Sequence, residues 1–174
     1  FGQVPAEQTL WEVPCLSITD YPRFAYRGMH LDVGRHFYPV PFIKKFIDLM
    51  AIHKLNTFHW HLTEGQGWQI EIKKYPNLTA IGSRRKITIR EPYQRNSFEP
   101  HEGYYTQEEI REVVAYALKK YITIIPEIET PSHAMAALAS YPKLGCKGQG
   151  YEVSTEMGVM FEDDDFCAGR ESTF

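Results

Sequence analysis

A chain of 174 residues fits one domain or part of a larger one. Its net charge of −3 argues against a nucleic-acid partner, and no apolar run is long enough to span a membrane. With 43% hydrophobic and 14% aromatic residues it is expected to fold as a globular unit. Arg84-Arg85-Lys86 is one basic cluster, and it reads as a solvated loop rather than a phosphate patch. The three cysteines, Cys15, Cys146 and Cys167, lack CxxC spacing, so a zinc knuckle is not expected. Cys146 and Cys167 either pair as a disulfide or stay as free buried thiols. No signal peptide is visible at Phe1, and a processed N-terminus stays open.

Residues 1–22 contain Pro5, Pro14 and Pro22 and read as a linker or as the last strand of a preceding domain. The regular pattern begins after them. Met29 to Val33 alternates apolar and polar residues, as a short strand does. Pro39 and Pro41 punctuate the turn that follows, and Pro41 suits the first position of a helix running to about Leu55. Phe42, Ile43, Phe46, Ile47, Leu49 and Met50 supply its apolar face. Residues 57–62 read as a second strand, with Phe58, Trp60 and Leu62 on one face and His59 and His61 on the other.

From Thr63 to Tyr105 the pattern is irregular, with a hairpin expected between IEIKKYP and RRKITIR. Thr106 with Glu109 three residues on is a capping box, and it opens a helix whose apolar face is Ile110, Val113, Val114, Ala117 and Leu118. Residues 122–128 form a third strand, apolar enough to be buried on both sides. Ser132 is expected to cap a short helix through Ala139, and the tail from Tyr141 is loop-like. Strand and helix therefore alternate three times, which predicts an α/β fold with a parallel sheet. An open doubly wound sheet and a barrel both fit. No glycine-rich phosphate loop follows a strand, which weakens a nucleotide-binding version.

In either architecture, chemistry collects at the carboxyl ends of the strands. The first strand ends in Asp32, Arg35 and His36, the second in His61 and Glu64, the third in Glu127, Glu129 and His133. One such cluster is ordinarily an ion pair or a hydrogen-bonded core histidine. Three together point to a shared site. A metal-dependent hydrolase would use His59 and His61 as zinc ligands, with Glu64, Glu129 or His133 as a third. HxH arises easily by chance, so this reading stands second. A carbohydrate site would use carboxylates for acid–base work and an arginine fork to hold two hydroxyls, with Arg27 the candidate. Trp60 belongs in the core on this reading, whereas Trp68 is free to line a ring.

FAYRGMHLDVGRHFYPV, NTFHWHLTEGQGWQIEIKKYPNLTAIGSRR, YYTQEEIREVVAYALKKYITIIPEIETPSHAMAALASYP and LGCKGQGYEV…FCAGRESTF together resemble the catalytic domain of glycoside hydrolase family 20, the β-N-acetylhexosaminidases. The tail is most similar to bacterial members of the Bacteroides type. The resemblance implies that residues 23–174 are the N-terminal part of a (β/α)8 TIM barrel, about three βα units of it. It implies removal of terminal β-linked N-acetylglucosamine or N-acetylgalactosamine from glycans, without metal or cofactor. Catalysis in the family is substrate-assisted: the sugar's acetamido oxygen attacks, an Asp orients it, and the adjacent Glu is the acid. By resemblance Arg27 would bind ring hydroxyls, and His61, Glu64 and His133 would belong to the network supporting the acid. Asp32 and Arg35 would form a structural ion pair. A periplasmic or extracellular location is also implied.

Three departures from the family pattern stand out. Its Asp-Asp after the second strand is Glu64-Gly65 here, and its Pro-Gly-His is Pro131-Ser132-His133, which would strain Ser132 if the turn needs positive φ. The catalytic Asp-Glu pair, carried by the family on its fourth strand, has no counterpart before Phe174. Asp163, Asp164 and Asp165 follow no strand pattern and do not replace it. The chain is thus expected to stop before that strand, to be inactive alone, and to be prone to self-association through exposed barrel edges. A non-catalytic glycan-binding module is the third reading.

Overall fold

The computed structural model describes residues 14–89, 97–156 and 164–173. Residues 1–13 of the expected leading segment, Arg90 of the expected hairpin and Asp163 lie outside them. Residues 14–22 contain no helix or strand and are exposed.

The elements are, in chain order, β1 (Gly28–Asp32), α1 (Val40–Ile52), β2 (Thr57–His61), β3 (Thr63–Glu64), β4 (Gly67–Trp68), α2 (Asn77–Ala80), β5 (Arg84–Arg85), β6 (His101–Glu102), α3 (Gln107–Leu118), β7 (Thr123–Glu127) and α4 (Met135–Ser140). β1, β2 and β7 form a parallel sheet in the order β1-β2-β7. Each parallel step needs a crossover, and α1 and α3 supply the helices of the two crossovers. Alternation along β2 decides which residues meet them. Phe58, Trp60 and Leu62 are fully buried against Ile43, Ile47 and Met50 of α1 and Val113 and Ala117 of α3. The opposite sheet face carries His30, Asp32, His59, His61 and Glu127, so all the polar residues of the three strands share one side.

Local chemistry explains where the helices start. Thr106 Oγ1 accepts the Glu109 N–H at 3.1 Å and Glu109 Oε2 accepts the Thr106 N–H at 2.8 Å, the reciprocal capping box expected. α1 starts at Val40, with Pro41 at its second position, where a missing N–H costs nothing.

Several expectations are corrected. The hairpin does not form: Arg84–Arg85 pair with His101–Glu102, and 73–76 turn into α2. β7 is not buried on both sides. It is an edge strand among the described residues, and Ile125 and Ile128 are exposed. Val114 and Leu118 of α3 are exposed for the same reason, since they flank the uncovered outer side of β7. The basic cluster is split. Arg84 and Lys86 face solvent, but Arg85 is buried, donating to Thr88 Oγ1, Gln66 O and Arg35 O. Cys146 and Cys167 are joined as a disulfide, and Cys15 is free and exposed.

Candidate functional site

Parallel register brings three ionisable residues into one row: Asp32 of β1, His61 of β2 and Glu127 of β7 are Cα partners. This row lies at the carboxyl ends of the strands. The segments that leave those ends add Arg35, Glu64 of β3, Glu129 and His133.

Glu64 is the hub. It is 2% exposed, so its charge must be met from within the protein. Arg35 Nη2 pairs with Oε1, and His133 Nδ1 lies 2.5 Å from the same oxygen. The backbone N–H of Gly65 donates to Oε2 at 2.8 Å. Arg35 also binds Asp32, with Nη1 2.6 Å from Oδ2 and its backbone N–H donating to Oδ1 at 3.0 Å. The Asp32–Arg35 ion pair is therefore present, and it extends to Glu64. Gly34 makes the approach feasible, because a Cβ there would sit 2.8 Å from Glu64 Cβ.

His133 stands at φ 55, in the left-handed region, and about half of its side chain is exposed. The turn's positive φ stands at His133, one residue after Ser132, so Ser132 does not carry that strain. The Glu64 carboxylate raises the His133 pKa above its ordinary value, with Glu129 and Asp164 adding to the rise against partial burial. His61 is 4% exposed. Its Nε2 lies 3.3 Å from Glu129 Oε1, misaligned for a hydrogen bond, and its Nδ1 lies 3.8 Å from Asp32 and 3.9 Å from Glu127. It belongs to the same polar cluster but does not touch Glu64 or His133 within ion-pair range.

Arg27 is not brought to this cluster. It precedes the amino end of β1, roughly 16 Å of strand away. Its guanidinium donates to Lys54 O at 2.7 Å, Phe24 O at 2.7 Å and Ala25 O at 3.2 Å, and its backbone N–H donates to Asn56 Oδ1. Arg35 is the arginine that lies with this cluster, at the carboxyl end of β1. Trp68 is buried too: its Nε1 donates to Ile70 O, and it packs with Leu78, Ala136 and Ala137 in a second core. It offers no ring platform.

A metal held jointly by His59 and His61 does not fit. Among the described residues two different ligand groups exist, His30–His59–Glu127 and His61–Glu127–Glu129. In the first, His59 Nε2 and Glu127 Oε2 are 2.5 Å apart, whereas ligands about 2.0–2.1 Å from a tetrahedral ion stand about 3.3 Å from each other. In the second, different ring nitrogens of His61 approach the two carboxylates.

Two residues important to this geometry had no signal in the sequence. Arg85 ties the Arg35 and Gln66 loops together, and no motif marks it as the buried member of its triplet. Asp164, from a loop far along the chain, binds the turn that follows His133. Its Oδ1 accepts the Met135 N–H at 2.5 Å and its backbone carbonyl accepts the Ala134 N–H at 3.0 Å. The cap expected from Ser132 is absent, and Asp164 fills that place.

Comparison with known proteins adds a family. Residues 24–174 match the family model "Glycosyl hydrolase family 20, catalytic domain". A β-hexosaminidase of Porphyromonas gingivalis is 52% identical over 162 residues, which is 93% of this chain and 20% of that protein. Among solved structures, the crystal structure of a β-N-acetylhexosaminidase superposes with a TM-score of 0.80 at 38% identity, covering 89% of this chain and 32% of that one. The β-N-acetylhexosaminidase from Bacteroides fragilis gives 0.71 at 44% identity, covering 88% and 28%. The chain thus spans about a fifth to a third of the length of the relatives it matches.

Proposed function

This chain belongs to glycosyl hydrolase family 20, with a TIM-barrel-type α/β fold, and from that premise we propose that it is the N-terminal part of the catalytic barrel of a β-N-acetylhexosaminidase. Residues 23–174 contribute about three βα units, preceded by a segment whose described part, residues 14–22, carries no helix or strand and reads as a linker. The reaction is release of terminal β-linked N-acetylglucosamine or N-acetylgalactosamine, with the substrate's acetamido group as nucleophile. The observation that carries this reading is the Glu64–His133 pair at the strand carboxyl ends, held by Arg35.

That pair does one chemical job. Glu64 occupies Nδ1 of His133 and favours the imidazolium, which leaves Nε2–H to face a neighbouring group. A carboxylic acid that protonates the leaving oxygen becomes negative as the bond breaks. An adjacent imidazolium stabilises that charge as it develops. His61, with Asp32, Glu127 and Glu129 around it, fills the floor beneath. Arg35 replaces Arg27 as the residue that holds sugar hydroxyls, because it lies at the functional end with its side chain about one-third exposed. The catalytic acid itself comes from another segment, since no Asp in the 174 residues is followed directly by Glu.

The Cys146–Cys167 disulfide supports a periplasmic or extracellular setting. Among the described residues no helix is long and apolar enough to cross a membrane. The uncovered edge of β7, with Val114, Leu118 and Ile124 beside it, is where the rest of the barrel packs, and in its absence it is the surface for self-association. Turnover of an aryl N-acetylglucosaminide tests the assignment. The pure, mass-verified 174-residue chain should give none, and a longer polypeptide that supplies the missing strands should restore it. Turnover by the short chain alone would overturn the division of labour.

A further inference from the structure

We infer that Asp164 is a positioning residue for the Glu64–His133 pair: it clamps the turn on which His133 stands and sets a second carboxylate against the Glu64 loop. This rests on the reading that Glu64 and His133 support the catalytic acid.

Asp164 is 8% exposed and holds the two consecutive amides that follow His133, Ala134 through its carbonyl and Met135 through Oδ1. A left-handed φ of 55 at a residue with a side chain persists only where the surrounding structure holds it, and these two bonds fix the chain immediately after that residue. The clamp is itself anchored. Phe166 N–H donates to Pro131 O at 2.8 Å, on the other side of His133, and Cys167 N–H donates to Leu144 O at 2.8 Å. The disulfide from Cys167 to Cys146 fastens the same loop. On its far side the carboxylate lies over Gly65. A Cβ on that glycine would stand 3.5 and 3.6 Å from the two Asp164 carboxylate oxygens, so a larger side chain there would compete for the space. Asp164 thus braces both partners of the pair, one through the turn after His133 and one through the residue after Glu64.

An uncharged side-chain acceptor would satisfy the same Met135 N–H. Burial pushes the Asp164 carboxyl up to about 6, with the nearby Glu64 charge adding to the rise and His133 opposing it. The charge is therefore held at a cost in stability that is absent below the ordinary carboxylate pKa and complete above about 6.

The test uses Asp164→Asn in the protein that carries the complete catalytic domain, beside Asp164→Ala and Glu64→Gln. Asn keeps an acceptor for Met135 N–H. The expected result for Asp164→Asn is an unchanged or raised melting temperature at pH 8, a lowered His133 pKa by NMR titration, and a loss in kcat/KM of about tenfold. Wild-type kcat/KM and His133 titration in Asp164→Asn would overturn the inference, even if Asp164→Ala is destabilised, because a neutral cap would then suffice. Should Asp164→Asn not fold, wild-type kcat/KM and His133 titration in Asp164→Ser, which also lacks the charge, would overturn it as well. Glu64→Gln separates this inference from its premise: full activity in that variant means the Glu64–His133 reading has failed, whatever Asp164 does.

Discussion

Arg27 and Arg35 stand at opposite ends of the same strand, eight positions apart, and their surroundings assign them different work. Arg27 donates to three backbone carbonyls at the amino end and braces the start of β1 against the segment leading into β2. Arg35 pairs with two carboxylates, Asp32 and Glu64, at the carboxyl end. Carbonyl partners make a guanidinium a structural tie. Carboxylate partners at a partly exposed site make it part of a charge system that a substrate or a proton can perturb. The same residue type therefore carries stability at one end and, on the proposed reading, function at the other.

The largest test of that contrast is Glu64→Ala. Removing the hub leaves Arg35 and His133 without their shared anion, and the expected cost is about 3–5 kcal/mol of stability, read by denaturant unfolding. A cost below about 1 kcal/mol would mean that the cluster is not coupled as described. Next, Arg35→Ala in the complete enzyme should lower kcat/KM by roughly a hundredfold, about 2.7 kcal/mol. Arg27→Ala should leave kcat/KM within about twofold and cost about 2 kcal/mol of stability through its lost carbonyl bonds. If the two arginines exchange these outcomes, the contrast between strand ends fails.

Smaller effects sharpen the picture. The His133 pKa is raised in the folded state, so the stability the ion pair provides is fully present below the ordinary histidine pKa. It is lost as pH rises through the raised folded value. Stability of His133→Ala relative to the parent should thus differ most below about pH 6 and converge on the alkaline side. Far from both ends, Thr106→Ala should cost about 1 kcal/mol by removing one half of a capping box, with no change in activity.

Much of this was legible in the chain itself. The two-residue period of TFHWHL put Trp60 in the core and the histidines opposite, and Thr106-x-x-Glu109 named its own helix. Those features are local, and local spacing encodes them. What was missed depends on contacts between distant segments. Asp164 caps α4 across 29 residues, so Ser132 was the only cap visible nearby. Arg85 is buried because it reaches Arg35 and Gln66, while its neighbours point outward. Arg27 was placed in the sugar site by resemblance, but a five-residue strand separates it from the end where Glu64 and His133 meet. β7 read as doubly buried from composition, and its exposure follows from its position at the sheet edge among the described residues.

The central claim is that Glu64, through His133, supports an acid that protonates the leaving oxygen. Its most direct test compares kcat/KM for Glu64→Gln and the parent enzyme over aryl N-acetylglucosaminides of graded leaving-group pKa. Support of the acid predicts a loss that is small for strongly acidic phenols, which need no proton, and grows steadily as the leaving group becomes more basic. An equal loss across the whole series would contradict the account, because it would place Glu64 in binding or folding rather than in proton transfer.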